Sequence, residues 1–353
     1  MMNNLKKKKV FIVDLYTGRI NIGSRWSYGV HEFVEIKENL IPEKESLTIA
    51  SISHPSFYDN YNCIFGLTGT IGEINERNEI KEIYHLDSFD VPTNFESKKK
   101  ILDKIIVDNK EQKYQKIISE IKKNENRSIL VILNTINETL EFSDKLKKIG
   151  IYNLLLNDIQ NEKEEYILYY AGKPKSIVIA TNAAGRGTDI LLTKESLQNG
   201  GLYVIIGFFP ENSRIEFQAI GRAGRQGQPG SAQIIFSKDE FKNININNVD
   251  EAIKYRNEKI KKISLYRIER TKKERFYYEN LQKYFILQNK LYNILKKPKN
   301  SVILDKLKED WAKFFTNNSD ESFDNFLKTY SWEFLLKSNE NEIKNILKEK
   351  ITI

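Results

Sequence analysis

Between residues 128 and 236, apolar residues come in short continuous runs separated by amphipathic stretches. Ser128–Leu133 reads Ser-Ile-Leu-Val-Ile-Leu, as expected of a parallel strand buried on both faces. Thr135 and Glu138 follow with the Ser/Thr-x-x-Glu spacing of a capping box. Leu140, Phe142, Leu146 and Ile149 then recur at helical intervals up to Gly150, a residue suited to end a helix. Further strands are predicted at 151–156, 176–181, Leu202–Ile206 and 232–236. Strand and helix in alternation predict a doubly wound parallel sheet.

The flanks have a different pattern. Residues 10–13 predict a strand ending at Asp14, residues 25–39 a helix, and residues 62–67 a second short strand running into Thr68-Gly69-Thr70. Two short strands do not close a sheet, so this part needs a neighbour. Pro92 marks a boundary. After Asp250 the pattern is helical, with Leu281, Tyr284, Phe285, Leu291 and Leu295 near a 3.6-residue period. Residues 300–353 predict two or three amphipathic helices packed around Trp311, Phe314, Phe315, Trp332 and Phe334. Three regions result: 1–92, 93–245 and 246–353.

Composition narrows the chemistry. Apolar residues are 40% of the 353, enough for a core. The longest apolar run, residues 202–209, is far short of the roughly 20 residues that span a bilayer. A single cysteine, Cys63, excludes a disulfide framework and fits a reducing compartment. Three scattered histidines leave little for a metal site. The net charge of +8 is unevenly placed: residues 254–299 hold 15 Lys and Arg against 4 Asp and Glu, a net of +11. Such a stretch suits nucleic acid, an anionic membrane surface or an acidic partner, and equally a solvated helix face.

Glycine locates the candidate site. Nine of the 17 glycines lie between Gly185 and Gly230, and none follows. Ala180-Thr-Asn-Ala-Ala-Gly-Arg-Gly-Thr-Asp-Ile190 comes directly after a predicted strand, where parallel sheets place ligands. There Gly185 and Gly187 free the backbone to approach a phosphate, Arg186 adds a fixed charge, and Asp189 offers a carboxylate to a ribose hydroxyl. In Gln218-Ala-Ile-Gly-Arg-Ala-Gly-Arg-Gln-Gly-Gln-Pro-Gly230, glycine recurs every third residue. Arg222 and Arg225, three apart, would project from one face of a helical turn. Two guanidinium forks converging on one place suit a polyphosphate. Singly, each segment reads more readily as a surface turn or loop than as a phosphate site; together, in this order, they are far more specific.

Together these segments resemble the fifth and sixth motifs of the motor domain of SecA, the protein-translocation ATPase, which belongs to the superfamily-two helicase-like motors. Val13–Glu38 is similar to the SecA segment returning to the first motor domain, Gly66–Thr70 to its third motif, and Asp90–Asn94 to the passage into the second motor domain. The resemblance covers residues 10–240 well and the remainder poorly. It implies an α/β fold: a RecA-like parallel sheet with helices on both faces, then an all-helical C-terminal region. The regions become a remnant of the first motor domain (1–92), the second motor domain (93–245) and a helical scaffold (246–353).

By the same resemblance, Arg222 and Arg225 are arginine fingers, Asp189 lies beside ATP, and Arg186 and Gln226 couple to it. Gly185 and Gly187 shape the loop, and Thr68, Gly69 and Thr70 relay between motor halves. Arg25 and Trp26 are scaffold residues, and Trp26 also fits a core. The partners implied are a protein-conducting channel and a preprotein, in the cytoplasm; the charge of residues 254–299, apart from the resemblance, suits an anionic membrane surface.

The departures are equally informative. No Gly-x-x-x-x-Gly-Lys-Ser/Thr and no Asp-Glu-x-Asp occurs in the sequence, so ATP and Mg²⁺ are expected to be held mainly by a first motor half, in trans or in a longer product. Phe208 and Phe209 stand where the family pattern is polar, and Ile220 where it has arginine. The chain alone is expected to be inactive as an ATPase. A non-catalytic binding module derived from SecA and half of a nucleic-acid helicase are the alternatives, with nucleic acid disfavoured by the Thr17-Gly18-Arg19 and Arg25-Trp26 pattern.

Overall fold

The computed structural model describes residues 9–13, 20–26, 29–42, 50–156, 164–182, 189–242, 244–295, 301–317, 321–333, 335 and 341–343. The chain divides into two compact units, one of Met1–Glu43, Leu67–Arg77 and Phe89–Lys261, the other of Lys44–Gly66, Asn78–Ser88 and Lys262–Ile353.

The first unit is built on a parallel sheet. Its strands are β3 (Lys99–Ile101), β4 (Ile105–Val107), β5 (Ser128–Leu133), β6 (Leu154–Leu156), β7 (Ile177–Thr181), β8 (Leu202–Ile206) and β9 (Gly230–Ser237), in the order β3-β9-β8-β5-β7-β6. β3 pairs with the start of β9 and β4 with its end, so both lie along one edge, with Lys99 opposite Gly230 and Val107 opposite Ser237. Two helices, α4 (Lys110–Lys123) and α5 (Ile136–Lys148), cover one face. The other face is covered by α6 (Glu164–Ala171), α8 (Ser213–Ile220) and the start of α9 (Val249–Leu295). The short α7 (Lys194–Gln198) joins β7 to β8.

The sidedness follows from the two-residue period of a strand. Ile129, Val131 and Leu133 pack with Tyr114, Ile117 and Phe142, whereas Leu130 and Ile132 pack with Ile167, Ala219 and Phe236. All six β5 residues are buried. This is the RecA-like parallel architecture with helices on both faces, followed by helices to the end of the described chain.

Local differences from the sequence reading have physical causes. The Thr135 hydroxyl accepts from the Glu138 amide at 3.2 Å as expected, but the Glu138 carboxylate accepts from the Asn134 amide and pairs with Lys113, so the reciprocal half of the box is displaced. The N-terminal helix α1 is only Val30–Lys37, because Gly29 has φ of 75° and blocks extension upstream; α2 (His54–Tyr58) and α3 (Ile74–Tyr84) follow it in the chain. β1 (Ile12–Val13) is joined by an antiparallel partner, β2 (Ile20–Asn21), that was not foreseen. Residues 62–67 are coil: Phe65 and Leu67 are 88% and 95% exposed, with no ladder to hold them. Asp14 lies outside the described residues. Arg25 pairs with Glu32 and Glu35, but Trp26 is 41% exposed, against a core role.

In the second unit, Leu281, Tyr284, Leu287, Leu291 and Ile294 line a buried seam of α9 at intervals of three or four. Phe285 falls one position off that seam and is half-exposed. Tyr284 stacks on Trp311 of α10 (Ser301–Asn317), with ring centroids 4.7 Å apart. Phe326 of α11 (Phe323–Thr329) meets the same indole edge-on. Trp311, Phe314 and Trp332 are core, as their spacing predicts; Phe334 lies outside the described residues. Among the described residues no helix is long and apolar enough to cross a membrane.

Candidate functional site

The glycine-framed loop after α8 is set by backbone conformation. Gly221 caps the helix, its amide donating to the Phe217 carbonyl at 2.7 Å. Gly224 then takes φ of 60° and Gly227 φ of 71°, the left-handed region that favours glycine. Between them Gln226 takes φ of 52°, which costs a residue with a Cβ about 1 kcal/mol or more. Tight packing adds a second demand: a Cβ on Gly230 would lie 2.4 Å from the Gly224 amide nitrogen.

This geometry separates the two arginines. Arg222 closes the last turn of α8, its amide donating to Ala219. Arg225 follows the left-handed Gly224 and opens a 3₁₀ turn, Arg225–Gly227. The helical face shared at three-residue spacing is therefore broken at Gly224. Arg225 lines a cleft of about 660 Å³ with Lys99, Gln218, Gly221 and Thr68-Gly69-Thr70, whereas Arg222 is not among its lining residues.

Asp189 and Arg225, 36 residues apart, meet as an ion pair at 2.7 Å. The Arg225 Nε also donates to the Gly221 carbonyl at 3.2 Å, at the negative end of α8. Thr68 joins the cleft in a compact turn, its hydroxyl accepting from the Thr70 amide at 3.2 Å. A Cβ on Gly69 would meet nothing, so that glycine is not there for want of space. Gly185, Arg186 and Gly187 lie outside the described residues.

The cleft is not where the sequence placed it. A loop after β7 suggests the carboxyl ends of the strands, but Asp189 pairs with Arg225 of the loop that leads into β9. Leu191 packs on Gly172, which precedes β7, and the Thr193 amide donates to the Gly172 carbonyl. The site therefore forms beside the amino ends of β3 and β9.

The carboxyl ends are occupied by a different device. Lys113, 3% exposed, lies between Glu138 and Glu240 at 2.9 and 3.0 Å. Burial alone would lower its pKa, but the two carboxylates hold it above the ordinary lysine value. The adjoining cavity of about 300 Å³ is lined by Lys110 and Lys113 but also by Glu138, Glu141, Asp239 and Glu240, an unfavourable setting for an anion.

Lys99 was missed in the sequence. It lies in a run of three lysines, Lys98 to Lys100, that reads as a solvated surface, and only the pairing of β3 with β9 brings it to the cleft. Burial, and secondarily the Arg225 charge, lower its pKa from the ordinary lysine value. Among the described residues, no three His, Cys, Asp or Glu side chains group to hold a metal ion.

The Asp189–Arg225 pair is decided by magnitude. Both side chains are 37% exposed, and such pairs contribute about 0–1 kcal/mol. Asp189→Asn is expected to shift the free energy of unfolding by less than about 1 kcal/mol. Urea titration of both proteins checks this, and a larger loss would make the pair a structural brace. A weak pair is one that Arg225 can leave for another anion.

Comparison with known proteins places these elements. The family model for the SecA P-loop domain matches residues 97–198, from just before β3 to the end of α7. The protein translocase subunit SecA of Campylobacter jejuni subsp. doylei is 38% identical over 238 residues, 67% of this chain and 27% of that protein. The SecA subunit of Heliobacterium modesticaldum is 37% identical over 238 residues, 67% of this chain and 28% of that protein. The chain thus spans between a quarter and a third of the length of these relatives. Among solved structures, the E. coli DEAD-box protein SrmB, crystallised with regulator of ribonuclease activity A, is similar at 18% identity and a TM-score of 0.34, over 45% of this chain and 94% of that one.

Proposed function

From the premise that this chain is a SecA-type protein, we propose that it is the C-terminal half of a SecA-like protein translocation motor, supplying cationic groups to ATP held by a first half that carries the P-loop. In this reading 1–92 is the remnant of the first motor domain, 93–245 the second motor domain and 246–353 the helical scaffold. The observation that carries it is the convergence of Thr68–Thr70 and Arg225 on one cleft from separate stretches of sequence, with Asp189, from a third stretch, paired to Arg225.

The side chains present fit a phosphate group. Arg225 supplies positive charge, and Thr68 and Thr70 line the same space. A guanidinium fork matches phosphate oxygens in pairs and stays charged at any working pH. Arg225 would exchange Asp189 for those oxygens, and Asp189, once released, would be free to accept from a hydroxyl. Bound ATP supplies the phosphoryl group whose transfer drives movement, and a guanidinium near it stabilises the charge that develops. Arg186, Arg222 and Gln226 are assigned to coupling and to the second finger. Mg²⁺ belongs with the P-loop half. The channel and the preprotein are the partners, and the cytoplasm is the compartment.

The alternative, a SecA-derived module with no part in hydrolysis, is favoured by the internal satisfaction of Arg225, whose Nε and Nη1 are already engaged by Gly221 and Asp189. Anionic lipid would then be its target, through residues 254–299. Phosphate release separates the two. Alone, the purified chain is expected to show no Mg²⁺-dependent ATP hydrolysis above background. Mixed with a SecA fragment carrying the P-loop half, it is expected to raise that fragment's turnover. No stimulation at saturating concentrations of the chain would leave the binding module.

A further inference from the structure

Two cations share the cleft at the amino ends of β3 and β9, and among the described residues an anionic partner is seen for one of them. Arg225 is neutralised by Asp189. The Lys99 ammonium is half-buried, and among the described residues no carboxylate pairs with it. Its place is fixed by backbone. Lys99 lies opposite Gly230 in the parallel ladder, and a Cβ on Gly224 would come within 2.9 Å of the Lys99 Cβ. The lysine stem is therefore clamped against the glycine loop that also sets Arg225.

Lysine ordinarily keeps its head in water, where the charge is solvated at no cost. Holding an ammonium partly out of water beside a guanidinium is unfavourable through both desolvation and like-charge repulsion. An anion between the two reverses both terms. Thr68 and Thr70 line the same space, and a threonine hydroxyl can donate to such an anion.

We propose that Lys99 is a phosphate-binding residue of this cleft, acting beside Arg225 on the same polyphosphate. The inference rests on the reading of the cleft as phosphate-facing, and it adds a contact to that reading which neither glycine-framed segment contains. Lys99 supplies a compact charge with rotatable donors, and Arg225 a planar fork, so the two suit different oxygens of one chain of phosphates.

The test is calorimetric titration of the full chain with inorganic tripolyphosphate at low salt, which needs no P-loop half. Wild type is expected to bind saturably. Lys99→Gln is expected to weaken binding about tenfold or more, the loss of one charge-assisted hydrogen bond, whereas Lys99→Arg retains most of it. Lys148→Gln, a surface lysine of α5 outside the cleft, should leave affinity unchanged. Circular dichroism of each variant reports folding. Equal weakening by Lys99→Gln and Lys148→Gln would reduce the effect to general charge and overturn the assignment. So would the absence of saturable binding by wild type, or loss in Arg225→Ala with none in Lys99→Gln. Tripolyphosphate binding with no stimulation of a P-loop half would keep the site and remove the motor reading.

Discussion

Arg225→Ala is expected to remove the chain's stimulation of ATP turnover by a P-loop half, by on the order of 10³-fold or more, the scale of an arginine finger. The folded state should tolerate the change. The guanidinium is 37% exposed, its ion pair with Asp189 contributes at most about 1 kcal/mol, and the Gly221 carbonyl it leaves can turn to water. Circular dichroism should therefore match wild type while the stimulated rate of phosphate release collapses. Arg225→Lys should recover little, because a point charge does not reproduce the bidentate fork. Full stimulation by the alanine variant would remove Arg225 from the chemistry and leave it as a cap on α8.

The largest effect on stability is expected from Glu216→Ala. Glu216 is 8% exposed on α8 and accepts from Arg256 of α9, itself 6% exposed, and from Lys104 at 2.7 Å. The Arg256 guanidinium also lies 5.3 Å from the centre of the Phe209 ring. Removing the carboxylate strands a buried guanidinium, and breaking one side of such a pair costs about 3–5 kcal/mol. Urea unfolding followed by circular dichroism should show that loss in Glu216→Ala and less of it in Glu216→Gln, which keeps an acceptor. An unchanged midpoint would mean that Arg256 finds water or another anion. The same network bears on Phe209: its ring is buried against Phe236 and Phe241 and covers the guanidinium.

Much of the sheet was legible because burial on both faces leaves a strong mark. Ser128–Leu133 and Leu202–Ile206 are runs in which every position is apolar or small, and both are strands at those bounds. The edge was not legible. β3 is Lys-Lys-Ile, a sequence that resembles solvated coil and becomes a strand only through its ladder with Gly230, Ser231 and Ala232. Residues 62–67 failed in the opposite direction: an apolar run without a partner is not a strand.

The candidate site was legible in part for the same reason. Spacing in sequence identified the glycine loop, but helical spacing misplaced Arg222 relative to Arg225, because one left-handed residue, Gly224, resets the direction of the chain. The pairing of Asp189 with Arg225 depends on the return of the chain past Gly172, a long-range fact with no local signature. Lys99 enters the cleft by strand pairing alone.

If Arg225 completes a triphosphate site whose other wall is supplied by a separate P-loop half, a crystal structure of the chain with such a half and a non-hydrolysable ATP analogue should show it. The Arg225 guanidinium is expected within hydrogen-bonding distance of a phosphate oxygen and no longer on Asp189. A triphosphate enclosed by one polypeptide, with Arg225 still paired to Asp189, would overturn the assignment.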